Sequence, residues 1–141
     1  MQKSPEYSDV VAAIAAFFHE RIKVCEQAGI ESGRIMLDPG IGFGKTLEHN
    51  LTILRRLEEF QSLKKPLVVG VSRKSFLGLL MNEPVPEKRA AASVTAGVVA
   101  LCKGAGILRV HDVAEHAAAL RIVHAIFKKE SRIGGKGLAA R

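Results

Sequence analysis

The stretch Arg34-Ile35-Met36-Leu37-Asp38-Pro39-Gly40-Ile41-Gly42-Phe43-Gly44-Lys45-Thr46 constrains the fold of this chain more than any other. A short apolar run ends in a carboxylate. Three glycines follow at alternate positions, and a lysine and a threonine then open a helical pattern. That is the grammar of strand, tight loop and helix. The chain uses it again at Leu67-Val68-Val69-Gly70-Val71, which ends in Ser72-Arg73-Lys74-Ser75, and at Ile107-Leu108-Arg109-Val110-His111-Asp112-Val113. Leu67 to Val71 lacks polar alternation, as expected for a parallel strand buried on both faces.

Helical patterns fill the intervals. Residues 8 to 28 predict a helix with Ser8 as N-cap, Gly29 as its stop, and Val10, Ile14, Phe17, Val24 and Cys25 near one face. Residues 46 to 61 predict a second, with Leu47, Leu51, Leu54 and Leu57 as its stripe and His49 and Asn50 solvated in its first turn. A short helix begins at Phe76. Glu87 to Lys103 is rich in alanine, and its small residues suit close packing on a sheet or another subunit. Asp112 and Glu115 have capping-box spacing, so a last helix is expected from there to about Lys129. Residues 130 to 141 are expected to be a disordered basic tail after one domain of residues 1 to 129. Strands alternating with helices predict an α/β fold with a parallel sheet and right-handed crossovers. Polar residues gather at the C-terminal ends of all three runs, where such sheets place their ligands.

Composition narrows the function. The net charge is +7 in 141 residues, but much of the excess lies in the tail, and no aromatics interleave the remaining cations. A nucleic-acid partner is therefore not expected, and cations at strand ends suit a small anion instead. No apolar run reaches the roughly 20 residues that span a bilayer, and the first residues carry no apolar signal core. The expectation is a cytoplasmic protein without a membrane partner. Cys25 and Cys102 then read as buried thiols rather than a disulfide, and they have no metal-ligand spacing.

The run ends suggest chemistry. Asp38 suits a fork of two N–H donors, a guanidinium or the N–C–N edge of an amino-heterocycle, unless it serves as a helix cap or an internal ion pair. The glycine loop is neither of two familiar nucleotide loops. A Walker A loop needs glycine where Pro39 stands, and a dinucleotide fingerprint needs G-x-G-x-x-G where this chain has G-x-G-x-G. Lys45 is either part of the site or solvated at the helix start. Arg73 and Lys74 fit an anionic or carbonyl-rich ligand, and Ser75 with the following helix start fits a carboxylate, the alternative being a solvated basic turn. Arg109 and His111 alternate by two, so they share one side of a strand and suit a phosphate or pyrophosphate, the alternative being a pair with Asp112 or Glu115.

Taken together, Leu37-Asp38-Pro39-Gly40-Ile41-Gly42-Phe43-Gly44-Lys45, Gly70-Val71-Ser72-Arg73-Lys74-Ser75-Phe76 and Arg109-Val110-His111-Asp112-Val113 resemble dihydropteroate synthase in residues, order and spacing, from about Met1 to Lys129. The resemblance implies a TIM (β/α)8 barrel, of which this chain matches the C-terminal portion, about three parallel strands with flanking helices. It implies a transferase of folate biosynthesis that joins 6-hydroxymethyl-7,8-dihydropterin diphosphate to p-aminobenzoate and releases pyrophosphate, with Mg2+ whose ligands lie outside this chain. Asp38 and Lys74 would bind the pterin. Phe43, Ser75 and Arg73 would line the p-aminobenzoate pocket, and Arg109 and His111 would hold the diphosphate. The family's late helices form a homodimer, so residues 87–103 and 113–129 are expected to associate. Because the first five strands are absent, the chain is expected to be an inactive fragment, with Met1 an internal methionine read as a start. Two other readings compete: another pterin-binding barrel resembling a methyltetrahydrofolate methyltransferase, and a non-catalytic dimerising remnant.

Overall fold

A computed structural model describes residues 7–127. The expected tail and the last two residues of the expected final helix lie outside the described residues. Helix α1 (Val10–Gln27) leads, and α2 (Leu47–Arg55), β1 (Val68–Val69), α3 (Ser75–Met81), α4 (Ala90–Cys102), β2 (Ile107–Leu108) and α5 (Val113–Phe127) follow. Among the described residues no helix is long and apolar enough to cross a membrane.

The expected order of elements holds, but the strands are shorter than the apolar runs. β1 and β2 pair in parallel, Val68 opposite Ile107 and Val69 opposite Leu108. The first expected strand, Arg34 to Leu37, is reduced to one parallel bridge from Leu37 to Leu67. A 3-10 turn occupies Ser32–Arg34 on one side of it. On the other, Asp38 leaves the ladder to accept the Gly40 N–H at 2.8 Å, and Pro39 has no N–H to offer. The ladder after β1 is ended by a side chain, because the His111 N–H donates to Ser72 Oγ at 3.2 Å.

No residue of Leu67 to Val71 is exposed, as expected of that run, but the face of the sheet turned away from the helices is open along the strands on either side of it. Ile35, Leu37, Leu67, Val69 and Val71 face the helices and are at most 9% exposed. Their neighbours on the opposite face, Met36 and Ile107, are 56% and 42% exposed. The core sits between the sheet and the helices. Ile53, Leu57 and Phe60 are fully buried there, each side chain worth about 1.5–3 kcal/mol of apolar transfer.

Helix details also depart from the pattern. The N-cap of α1 is Asp9, not Ser8, with Oδ1 accepting from the Val11 and Ala12 N–H groups. Phe18 rather than Phe17 is buried, edge-on to the Phe60 ring at 5.7 Å between centroids, while Phe17 and Val24 are exposed. The expected second helix breaks after Arg55 and continues as a 3-10 segment, Leu57–Leu63. Pro86–Arg89 forms a 3-10 turn before α4, whose Ser93, Gly97 and Ala100 are buried. α5 begins directly after Asp112, as the spacing predicts, and both carboxylate oxygens of Asp112 accept from Arg73. The two cysteines are free, but Cys102 is exposed and Cys25 half-buried, so neither is the buried thiol expected.

Candidate functional site

The glycine loop is held from below by α2. Thr46 caps the helix, its Oγ1 accepting the His49 N–H at 3.2 Å. Asn50 is 2% exposed, not solvated as its place in the first turn suggested. Its Oδ1 accepts the Gly42 N–H at 2.7 Å and its Nδ2 donates to the Thr46 carbonyl at 2.7 Å. Lys45 folds back over the same loop, Nζ donating to the Gly40 carbonyl at 2.9 Å and to that of Phe43 at 3.3 Å. Burial holds the Lys45 ammonium below the usual lysine range, although Asp38 pulls it up. Lys45 thus closes the loop rather than standing in solvent.

Lys74 joins this loop to the next one. Its stem crosses Gly42, where an added Cβ would lie 2.7 Å from Lys74 Cδ. Its ammonium sits 3.4 Å from the centroid of the Phe43 ring. Desolvation lowers the Lys74 pKa, the nearby Arg109 lowers it further, and Asp38 opposes both. Lys74 therefore lies within the field of the first strand's carboxylate and of the third strand's guanidinium.

Arg109 and His111 both stand on the exposed face of the sheet, as their spacing predicts. The Arg109 guanidinium lies across Gly70, where a Cβ would meet Nη2 at 2.8 Å. His111 Nδ1 is 3.0 Å from Ser72 Oγ, which already accepts the His111 backbone N–H. A hydroxyl that gives its one proton to Nδ1 pairs with the tautomer that carries the ring N–H at Nε2, where it can serve as a donor. Lys74, Arg109 and His111, with Ser72 and Arg73, line a cleft of about 440 Å³. Three donors of positive or partial positive charge facing one opening suit an anion with several oxygens.

Other expected site residues are placed differently. Asp38 lies in a neighbouring cleft of about 390 Å³, with Lys45 on one wall and Tyr7 and Phe17 on another. It is exposed, and among the described residues its hydrogen bond is to the Gly40 N–H. Arg73, expected in the p-aminobenzoate pocket, makes a two-bond ion pair with Asp112, at 2.6 Å from Nη2 and 3.2 Å from Nε. That pair raises the Arg73 pKa and lowers that of Asp112. The internal partner foreseen for Arg109 or His111 thus serves Arg73. Ser75 is exposed at the first position of α3, and Phe43 is 54% exposed at the tip of the glycine loop. Among the described residues no three His, Cys, Asp or Glu side chains lie close enough to hold a metal ion.

Sequence reasoning missed Asn50, Arg89 and Ser93. Asn50 had a legible signal, because its spacing to Leu47 and Leu54 puts it on the buried face of α2.

Comparison with known proteins agrees with this geometry. The chain is 49% identical over 125 residues to a dihydropteroate synthase of Escherichia coli strain K12, covering 89% of this chain and 44% of that protein. It superposes on a Xanthomonas albilineans dihydropteroate synthase solved with 4-aminobenzoic acid, with a TM-score of 0.85 and 43% identity over 86% of this chain and 45% of that one. For the same organism's enzyme in complex with 7,8-dihydropteroate the TM-score is 0.86 and the identity 42%, over 89% of this chain and 49% of that one. The chain thus spans about half the length of the relatives it matches. The family described as "Pterin binding enzyme" matches residues 1–111. That match takes in Asp38, the glycine loop, Lys74 and Arg109 and ends on His111, and the chain accordingly belongs to the family of pterin-binding enzymes.

Proposed function

We propose that this chain is the part of a dihydropteroate synthase that grips the pterin and the leaving diphosphate. The observation that carries the reading is the convergence of Lys74, Arg109 and His111 on one cleft beside the Asp38 strand end. Asp38 accepts hydrogen bonds from the N–C–N edge of 6-hydroxymethyl-7,8-dihydropterin diphosphate, and Lys74 donates to the ring. Arg109 and the His111 Nε2–H hold the diphosphate. The p-aminobenzoate nitrogen forms the new C–N bond as the C–O bond to the diphosphate breaks. Pyrophosphate leaves with that bond's electrons and the amine loses a proton. Charge gathering on the departing oxygens is what Arg109 and His111 offset. Phe43 and Ser75 shape and bind the p-aminobenzoate end.

The resemblance implies Mg2+, but the described side chains do not form a site for it, and no step here runs through the metal. We place the protein in the cytoplasm and expect a homodimer through its late helices, residues 87–103 and 113–129, where Val99, Val113, Ile122 and Ile126 are exposed. Sedimentation of the purified chain checks the dimer.

The chain alone is expected to bind rather than to turn over, because Asp38 is exposed in an open cleft and the chain spans about half the length of its relatives. Calorimetry with the pterin diphosphate tests this. Binding in the micromolar range that is lost in Asp38→Ala supports a working half-site. No binding leaves only a packing module, and turnover of both substrates by the purified chain refutes the fragment reading.

A further inference from the structure

Arg89 is a buried guanidinium, 7% exposed, and among the described residues it pairs with no carboxylate. Its donors go to backbone carbonyls instead: Nε to Glu83 at 3.0 Å, Nη2 to Pro84 at 2.5 Å and Nη1 to Arg73 at 3.0 Å. One turn further along α4, Ser93 is fully buried. Its hydroxyl donates to the Arg89 carbonyl at 2.7 Å and accepts the Arg73 N–H at 2.8 Å. Both backbone groups of Arg73 are therefore held from the start of α4. Arg73 has a φ of +59°, a left-handed conformation that a residue with a Cβ seldom adopts without support. The next residue is Lys74, whose direction follows from that torsion.

We propose that Arg89 and Ser93 are positioning residues: they clamp Arg73 in its left-handed conformation and so aim the Lys74 ammonium across Gly42 at the pterin side of the cleft. The inference deepens the proposed function and rests on the pterin-binding reading of Lys74. A buried cation without a counter-charge is an expensive choice for stability alone. Here it fixes geometry, because it ties the 83–84 turn, α3 and the Lys74 loop together. An added Cβ on Gly78 of α3 would lie 2.6 Å from Arg89 Cζ. Ser93 separates the clamp from simple support of the turn, since its hydroxyl bonds Arg89 and Arg73 and neither Glu83 nor Pro84.

The test is nuclear magnetic resonance of the whole chain with labelled lysine, together with titration of two probes, 6-hydroxymethylpterin and inorganic pyrophosphate. In the unsubstituted chain the Lys74 ε-methylene protons are shifted upfield by the Phe43 ring. In Ser93→Ala and in Arg89→Lys that shift collapses and pterin affinity falls about tenfold, the factor expected for a lost buried hydrogen bond, while pyrophosphate affinity holds. Ser93→Thr, which keeps the hydroxyl, retains the shift and the affinity. Core methyl signals of Ile53 and Leu57 stay in place throughout, which separates aiming from unfolding. If Arg89→Lys fails to fold, Ser93→Ala decides the matter. An upfield shift and a pterin affinity that survive in Ser93→Ala overturn the clamp, as does a missing shift in the unsubstituted chain. If no variant binds pterin and neither does the parent, the proposed function fails, while the Lys74 shift still reads the clamp.

Discussion

Gly42→Ala and Gly44→Ala ask for the same side chain two residues apart, and the structure gives them different costs. Both glycines have left-handed backbone, with φ of +80° and +58°. Alanine at either position therefore bears a torsional penalty of roughly 1–2 kcal/mol. At Gly44 nothing else is within 4 Å of the new Cβ. At Gly42 the Cβ would stand 2.7 Å from Lys74 Cδ and 3.3 Å from Cγ and Cε. These are middle atoms of the stem, so the whole lysine side chain must leave its track. That forfeits the ammonium–Phe43 contact, worth roughly 0.5–1 kcal/mol at an exposed site. Gly42→Ala should thus cost about 1 kcal/mol more than Gly44→Ala, a clear difference in urea midpoint for a slope of about 1–2 kcal/mol per molar. In a Lys74→Ala background the excess should vanish, because the stem that clashes is gone. Equal costs at the two glycines, or an excess that persists without Lys74, would refute the account of Gly42 as the track for that side chain.

Asn50→Leu should destabilise the chain by about 1–3 kcal/mol by leaving the Gly42 N–H unpaired, and the Gly42 amide should exchange with solvent faster even where the core does not. The Arg73 hydrogen bonds hold the Asp112 carboxyl below its usual value, so the stability this pair adds is present above about pH 4 and is lost as pH falls through the depressed folded value. The urea midpoint of Asp112→Asn should accordingly trail the parent at neutral pH and converge with it in acid. Burial first and Arg109 second depress the Lys74 pKa, so Arg109→Gln should raise the Lys74 titration midpoint in a carbon-13 methyl-lysine experiment. An unchanged or lower midpoint would count against the closeness of the two cations. Val69→Ala, on the helix side of the sheet, should cost about 2 kcal/mol, and Ile107→Ala, on the open side, less than about 1 kcal/mol, by urea unfolding.

What the sequence shows of this protein is its punctuation. The glycine loop, the cationic turn after Leu67 to Val71 and the Arg-x-His alternation stand where they were expected, because each depends on local geometry of a few residues. Burial is less local. Phe17 and Phe18 are equally apolar, and the choice of Phe18 is made by Phe60, a distant residue that it meets edge-on. Asn50 looks solvated in a first turn until the loop before it folds back and needs an acceptor for Gly42. Arg89 looks like a surface cation at the head of an alanine-rich helix, and its partners are carbonyls that carry no mark in the sequence. Arg73 and Arg109 are both candidates to pair with Asp112, and it is Arg73, distant in sequence and left-handed in its backbone, that does so.

The two faces of the sheet divide the work, and the division explains why the polar strand ends can be read in detail here. The residue period of two sends Leu37, Leu67 and Val69 into the helices, where burial provides the folding energy. The same period sends Asp38 and Arg109 to the open side, where almost nothing is asked of them for stability. Placement on that side comes instead from the loops. Asn50 fixes Gly42, Gly42 gives Lys74 its track, and Arg73 sets the angle from which Lys74 enters that track. The Lys74 cation is thus aimed by loop residues that rest on buried groups, Asn50 under Gly42 and Ser93 behind Arg73. A change in α2 or α4 that leaves the open face untouched can still move the Lys74 ammonium.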